Sequence, residues 1–247
     1  MDIYFAVLNF TLSGAIGLIG IFTLRKVSIS NEVVFASLPL LFAIHQFAEG
    51  FVWLGVGGYV GPRALDIASG IFIYYAQGLL PFLIPLAIWL IEKDGYRKKI
   101  VGILAILGFS LAVYTMWGLS TMPSSVSVID NTLFYKNPAT ANIYDALIYI
   151  VTTCGALMLS SSIAIQLFGF LNLIGLSIIF IVKPYGFTSL WCLYSAVISG
   201  LLYFYFVERR TIFLQKLKKK KNEFSIEFEK ELDILNQKIN ANRTKSE

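Results

Sequence analysis

VVFASLPLLFAIHQFAEGFVWLGV, residues 33–56, carries one formal charge, Glu49, in a run long enough to cross a bilayer as a single helix. A helix needs about 20 residues, at ~1.5 Å each, to span ~30 Å of hydrocarbon. Starting from Val33, Glu49 falls in the outer half of the membrane, several residues from water. His45 lies one turn earlier, near the midplane, and shares its face at i,i+4 spacing; Trp53 lies one turn further on. Gln46 points roughly 100° away and meets a different neighbour. An ionised carboxylate facing lipid is costly, so Glu49 must face the bundle interior, pair with a donor or carry a proton. His45 and Glu49 are therefore either a polar clamp that specifies packing or a pair that binds a ligand or handles a proton.

The rest of the chain agrees with a membrane reading. Hydrophobic residues make up 57% and charged residues 14%, with a mean hydropathy of +0.71. Soluble domains carry about 25% charge, and here the charges are sparse before Glu208 and dense after it, so the first 207 residues could not cover themselves with polar groups in water. The net charge of +5 does not point to nucleic acid, because the basic residues flank apolar segments; anionic lipid headgroups are the expected partner. Cys154 and Cys192 both fall within expected spans and read as buried thiols. The opening MDIYFAVLNF lacks a positive n-region and a cleavage site, so it is expected to remain as a span.

Seven spans are expected, in an all-α bundle: Ile3–Leu24, Val33–Val56, Ile67–Leu90, Ile100–Leu119, Ile143–Leu159, Ile163–Val182 and Phe187–Val207. Ser160, Ser161 and Ser162 form a tight turn between the fifth and sixth. The connections hold Arg25-Lys26, Gly57-Gly58, Gly61-Pro62 and Glu92 to Lys99. Residues 120–141 make a long connection that either caps the bundle mouth or stays a mobile surface loop. Pro81 and Pro85, and to a lesser degree Pro39, predict bends. Basic residues fix the orientation: Arg25, Lys26, Lys93, Arg97, Lys98, Lys99, Arg209, Arg210 and Lys216 on one side against Arg63, Lys136 and Lys183 on the other. The N-terminus is expected outside and the C-terminus in the cytoplasm. Tyr4, Trp89, Tyr185 and Tyr203 sit where interfacial anchors belong.

Two domains follow, residues 1–207 spanning the membrane and 208–247 forming a basic cytoplasmic tail. Leu214, Leu217, Phe224, Phe228 and Leu235 make a heptad interrupted at Lys221 and Glu231, which leaves open a surface helix, a dimerising coil or a disordered tail.

Further polar groups are candidates for the same intramembrane volume. Gln77 and Asn172 lie near mid-depth, and Ser195 and Ser199 form a polar face in the last span with Trp191 toward the exterior. Amides of this kind also serve as interhelical glue. Asp145 reads as a helix-end acid or part of an outer vestibule. Tyr74, Tyr75, Tyr114, Trp117, Trp191 and Tyr194 either line a pocket or face lipid and core. Gly14, Gly17 and Gly20, with Gly70 and Gly78, predict close helix approach. His45 is the only histidine, and a catalytic zinc wants about three protein ligands, so no metal centre is expected. No phosphate-cradling loop is present. The last span has no lysine, which excludes a retinal Schiff base there. No pattern names a cofactor.

The run Gln46, Glu49, Gly50, Val52 and Trp53, a Q-x-x-E-G-x-V-W pattern, resembles that of a bacterial family of multi-span membrane proteins described as a domain of unknown function. The resemblance extends over residues 1 to about 207 and leaves out the tail. It implies a seven-span fold and draws attention to Gln46 and Glu49, and it brings no activity with it. Three functional classes follow. The first is a receptor or sensor in which a small ligand or proton near Glu49 repositions the last span; the second is a proton-coupled transporter; the third is an intramembrane lipid-modifying enzyme using His45 and Glu49. The site set is His45, Glu49, Gln46, Trp53, Gln77, Asn172, Trp191 and Ser195. A homo-oligomer in a bacterial inner membrane fits this picture.

Overall fold

Helices long and apolar enough to cross a membrane number six among the described residues: α1 (Asp2–Leu24), α2 (Val33–Val56, extended by a turn from Ser30), α3 (Pro62–Ile91), α4 (Gly95–Thr121), α6 (Ile163–Val182), and the helical stretch Phe187–Phe224. α5 (Ile143–Met158) is apolar but shorter, about 24 Å at ~1.5 Å per residue. The chain is thus a polytopic, all-α integral membrane protein with six to seven apolar helices. A computed structural model describes residues 2–140, 142–183 and 186–243, with side chains except those of 221, 225–227 and 229–243. Tyr185 and the side chains of Lys221, Glu231 and Leu235 lie outside the described residues.

Two expected boundaries move. α3 begins at Pro62 rather than Ile67, because proline at the first helical position loses no intrahelical bond. α4 begins at Gly95 rather than Ile100, because the Asp94 side chain caps it by accepting from the Arg97 N–H at 2.9 Å. The proline effect in α3 takes the form of a π-helical turn, Tyr74–Leu79, immediately before Pro81. Pro81 has no N–H for the Gln77 carbonyl, and a wider turn absorbs the mismatch. α2 continues as a helix through Pro39. A second π turn, Val151–Gly155, interrupts α5 where the Thr152 and Thr153 hydroxyls donate to the Tyr149 carbonyl at 3.1 and 2.7 Å.

α1 packs along α2, and α3 along α4. The glycine ridge of α1 is only partly used. A Cβ on Gly20 would come within 2.6 Å of the Leu40 backbone nitrogen and one on Gly17 within 3.5 Å of Ala43, whereas Gly14 faces open space. Gly78 approaches Thr115, but Gly70 likewise meets nothing. The expectation of close packing therefore fails for Gly14 and Gly70, which lie on the outward side of their helices.

Residues 122–140 are neither helical nor a featureless loop. They contain an antiparallel hairpin, β1 (Ser125–Ile129) and β2 (Thr132–Lys136), turned at Asp130 and Asn131, both at positive φ. Leu133 and Tyr135 alternate onto the buried face of β2, while β1 stays largely exposed. Asn137, itself buried, holds the base: its amide donates to Ser124 Oγ at 2.9 Å and its Oδ1 accepts from Ala139 N–H at 2.9 Å. Lys183 pairs with Asp130 at the tip, 3.7 Å away. β2 packs on α7 (Phe187–Ser199), and a Cβ on Gly186 would collide with Thr132.

At the α3–α4 connection the Glu92 carboxylate is buried and accepts three backbone N–H groups: Lys93 at 2.9 Å, Asp94 at 3.0 Å and Ser161 at 2.7 Å. Arg97 and Gln166 donate to the Ser160 carbonyl at 2.9 and 2.7 Å. This knot makes Ser160–Ser162 a tight turn between two separate helices.

The chain divides into two units, Met1–Phe206 and Val207–Glu247. The last helix, α8 (Leu201–Arg243), follows α7 after Gly200. Within the second unit Lys219 pairs with Glu223 at i,i+4, 3.8 Å apart, and Phe224 stacks on Phe228.

Candidate functional site

The helical period of α2 puts His45 and Glu49 on a face that the fold buries, each 1% exposed. Glu49 accepts a hydrogen bond from the Ser189 hydroxyl in the first turn of α7. No Lys or Arg among the described residues pairs with Glu49. Tyr135, brought in by β2, and Cys192, one turn along α7 from Ser189, both lie within electrostatic range of its carboxyl.

His45 makes no hydrogen bond with the described protein through either ring nitrogen. Its ring stacks on Phe72 at 4.0 Å and on Tyr75 at 4.6 Å, and Phe72 in turn stacks on Tyr135 at 4.4 Å. Four rings from α2, α3 and β2 thus form one continuous run. The Tyr75 and Tyr135 hydroxyls, both buried, are also without partners. Leaving a buried polar atom unpaired costs about 1–3 kcal/mol, and this run holds four such atoms.

A second constellation lies along α5, α6 and α7. Trp191 Nε1–H donates to Tyr149 Oη at 2.7 Å, and Ser195 Oγ donates to Asn172 Oδ1 at 3.4 Å. These four residues, with Thr153 and Cys154, border a void of ≈ 20 Å³, room for about one water. The remaining wall is apolar, including Leu38, Phe42, Leu80 and Ile84.

The residues singled out in the sequence fall into three places. His45 and Glu49 form the first group, and Asn172, Trp191 and Ser195 the second. Gln46 and Trp53 belong to the α1–α2 seam: Gln46 donates to Asn9 Oδ1 at 3.2 Å, and Trp53 stacks on Phe5 at 4.6 Å. Gln77 is half-buried in the π turn with its Oε1 unpaired. The aromatic set divides as well. Tyr75 and Trp191 are buried, whereas Tyr114 and Trp117 stack on each other on the exposed side of α4. Asp145 is a helix-end acid, half-buried and bonded to Asn142, the N-cap of α5. Among the described residues no three His, Cys, Asp or Glu side chains gather as metal ligands do.

Sequence reasoning missed Ser189, Tyr135 and Tyr149. Ser189 carried a usable signal, a hydroxyl at the outer end of the last span at the depth expected for Glu49. Tyr135 carried only the alternation of TLFYK, which says strand but not which face meets a helix 86 positions away in numbering from Glu49.

No curated protein and no solved structure matches the chain. Residues 4–216 match the Family of unknown function (DUF6629), reaching beyond the last expected span into the start of the tail. With its apolar helices and this match over most of its length, the chain belongs to that family of unknown function.

Proposed function

We propose that this protein is a receptor-like or sensor-like bundle in which a small polar ligand binds at His45 and Glu49 and changes the seating of α7. One observation carries the reading: the His45 imidazole, buried and stacked on two rings, has both nitrogens unpaired in the same ring run as the unpaired hydroxyls of Tyr75 and Tyr135. A ligand that supplies those hydrogen bonds also competes for Glu49, and so for the Ser189 contact that ties α2 to α7. The sensor reading is favoured over a proton-coupled transporter because the separate void bordered by Asn172, Trp191 and Ser195 is otherwise walled by Leu38, Phe42, Leu80 and Ile84, which interrupts a polar route. A carrier needs a polar route through both halves. An enzyme acting on lipid would need a nucleophile or metal beside His45, and Ser195 is bonded to Asn172 instead.

The same reading places seven crossings in a bacterial inner membrane, the hairpin outside and the Glu92 knot with the basic tail in the cytoplasm, where anionic headgroups meet the lysines. The test is a ligand screen on the purified chain in nanodiscs, read as a shift of the thermal unfolding midpoint. A compound that stabilises the wild type and loses its effect in His45→Phe supports the site. Dye-reported proton movement in proteoliposomes that disappears in Glu49→Gln would replace the sensor reading with the transporter.

A further inference from the structure

We infer that the Glu49 site takes a primary ammonium group, from either a free amine or an aminolipid headgroup. The inference rests on the ligand-site reading above and adds the chemistry of the ligand. Glu49 is buried with one internal partner, the neutral hydroxyl of Ser189. An ionised carboxylate so placed calls for a counter-charge, and no Lys or Arg among the described residues supplies one.

The rings of Phe72, Tyr75 and Tyr135 form the stacked run with His45, and Tyr135 lies within electrostatic range of the carboxyl. The hydroxyl oxygens of Tyr75 and Tyr135 and a lone pair of the imidazole are unpaired acceptors. An –NH₃⁺ group carries three donors and one positive charge, which matches one carboxylate oxygen and two neutral acceptors. A quaternary ammonium has no N–H to give these acceptors, so a primary one fits. Entry is expected from the β1–β2 side, since Tyr135 is the member of the run carried on a two-stranded hairpin rather than on a long helix.

The experiment uses the full chain in detergent and in nanodiscs, with methylammonium, tetramethylammonium and the neutral isostere methanol as probes. Methylammonium is expected to raise the unfolding midpoint of the wild type saturably, with methanol and tetramethylammonium inert. Glu49→Gln should weaken that effect at least about tenfold. Ser189→Ala, which keeps the carboxylate and removes its internal competitor, should bind methylammonium more tightly; this arm decides the matter if Glu49→Gln does not fold. For a lipid source, phosphatidylethanolamine nanodiscs stabilise the wild type over phosphatidylcholine ones, Glu49→Gln erases the difference, and added amine does nothing further. For a free amine, the two lipids behave alike and methylammonium acts in both. If a neutral ligand stabilises through His45 while methylammonium does not, the ammonium assignment is overturned and the ligand site stands. If no probe or screened compound acts and His45→Phe and Tyr135→Phe are each as stable as wild type, both are overturned.

Discussion

Ser189 and Glu49, 140 positions apart, are joined by a hydrogen bond from the serine hydroxyl to the carboxyl that ties the start of α7 to the middle of the bundle. Removing the hydroxyl leaves a buried acid with no protein partner. Ser189→Ala is expected to destabilise the unliganded protein by about 1–3 kcal/mol, and Ser189→Thr by clearly less because a hydroxyl remains. Reversible unfolding in mixed detergent micelles measures both. Equal losses in the two variants would mean that packing, not the hydrogen bond, holds α7.

Trp191 depends on Tyr149 for its only hydrogen bond from the indole, at 2.7 Å. Tyr149→Phe keeps the ring and orphans the indole N–H in a buried place. The expected cost is about 1–3 kcal/mol, with a change in Trp191 fluorescence. A variant with wild-type emission and stability would show that water already serves the indole.

Glu92 gives a pH dependence with a definite sign. Burial pushes its carboxyl up, but the N–H groups of Asp94, Ser161 and Lys93 outweigh burial and hold it below the usual 4.5. A depressed folded value means that stability is fully present above about pH 4.5 and is lost as pH falls through the folded value. Glu92→Gln should flatten that acid limb and cost about 1.5–3 kcal/mol at pH 7. Unfolding midpoints between pH 3 and 7 on both proteins provide the check, and an acid limb unchanged in Glu92→Gln would assign it to other carboxylates.

Gly20 and Gly14 share a helix but not a fate. A methyl on Gly20 would press on the Leu40 backbone at 2.6 Å, and backbone cannot step aside as a side chain can. Gly20→Ala is expected to cost about 1–3 kcal/mol. Gly14→Ala meets nothing and should be neutral or stabilise by up to about 1 kcal/mol through helix propensity. Denaturation of the pair in parallel separates the two, and similar losses would place α1 differently against α2.

The span positions were legible because hydrocarbon leaves the backbone no partner but itself, so length and hydropathy alone locate helices. Where α3 and α4 begin was less so: Pro62 and Asp94 lie in polar flanks, and caps act outside the apolar run. For the connection of residues 120–141 the sequence left a cap and a mobile loop open and gave no sign of a packed hairpin. Its strand alternation is local, but burial of Leu133 and Tyr135 comes from contacts with helices far off in the chain.

His45 and Glu49 stood out from their positions in an apolar run, since a polar group in hydrocarbon is costly wherever the helix turns. Their partners did not. The sequence by itself determined that the chain lives in a membrane, roughly where its helices lie, and that two polar groups share one face of α2. Only the tertiary structure decided that Ser189 bonds to Glu49 and Tyr135 comes within electrostatic range of it, that Gln46 turns to Asn9 instead, and that His45 is left with ring faces and no hydrogen bond. The reason is physical: helical period and hydropathy act within a few turns, whereas the pairing of helix faces depends on side-chain shape summed over the whole bundle.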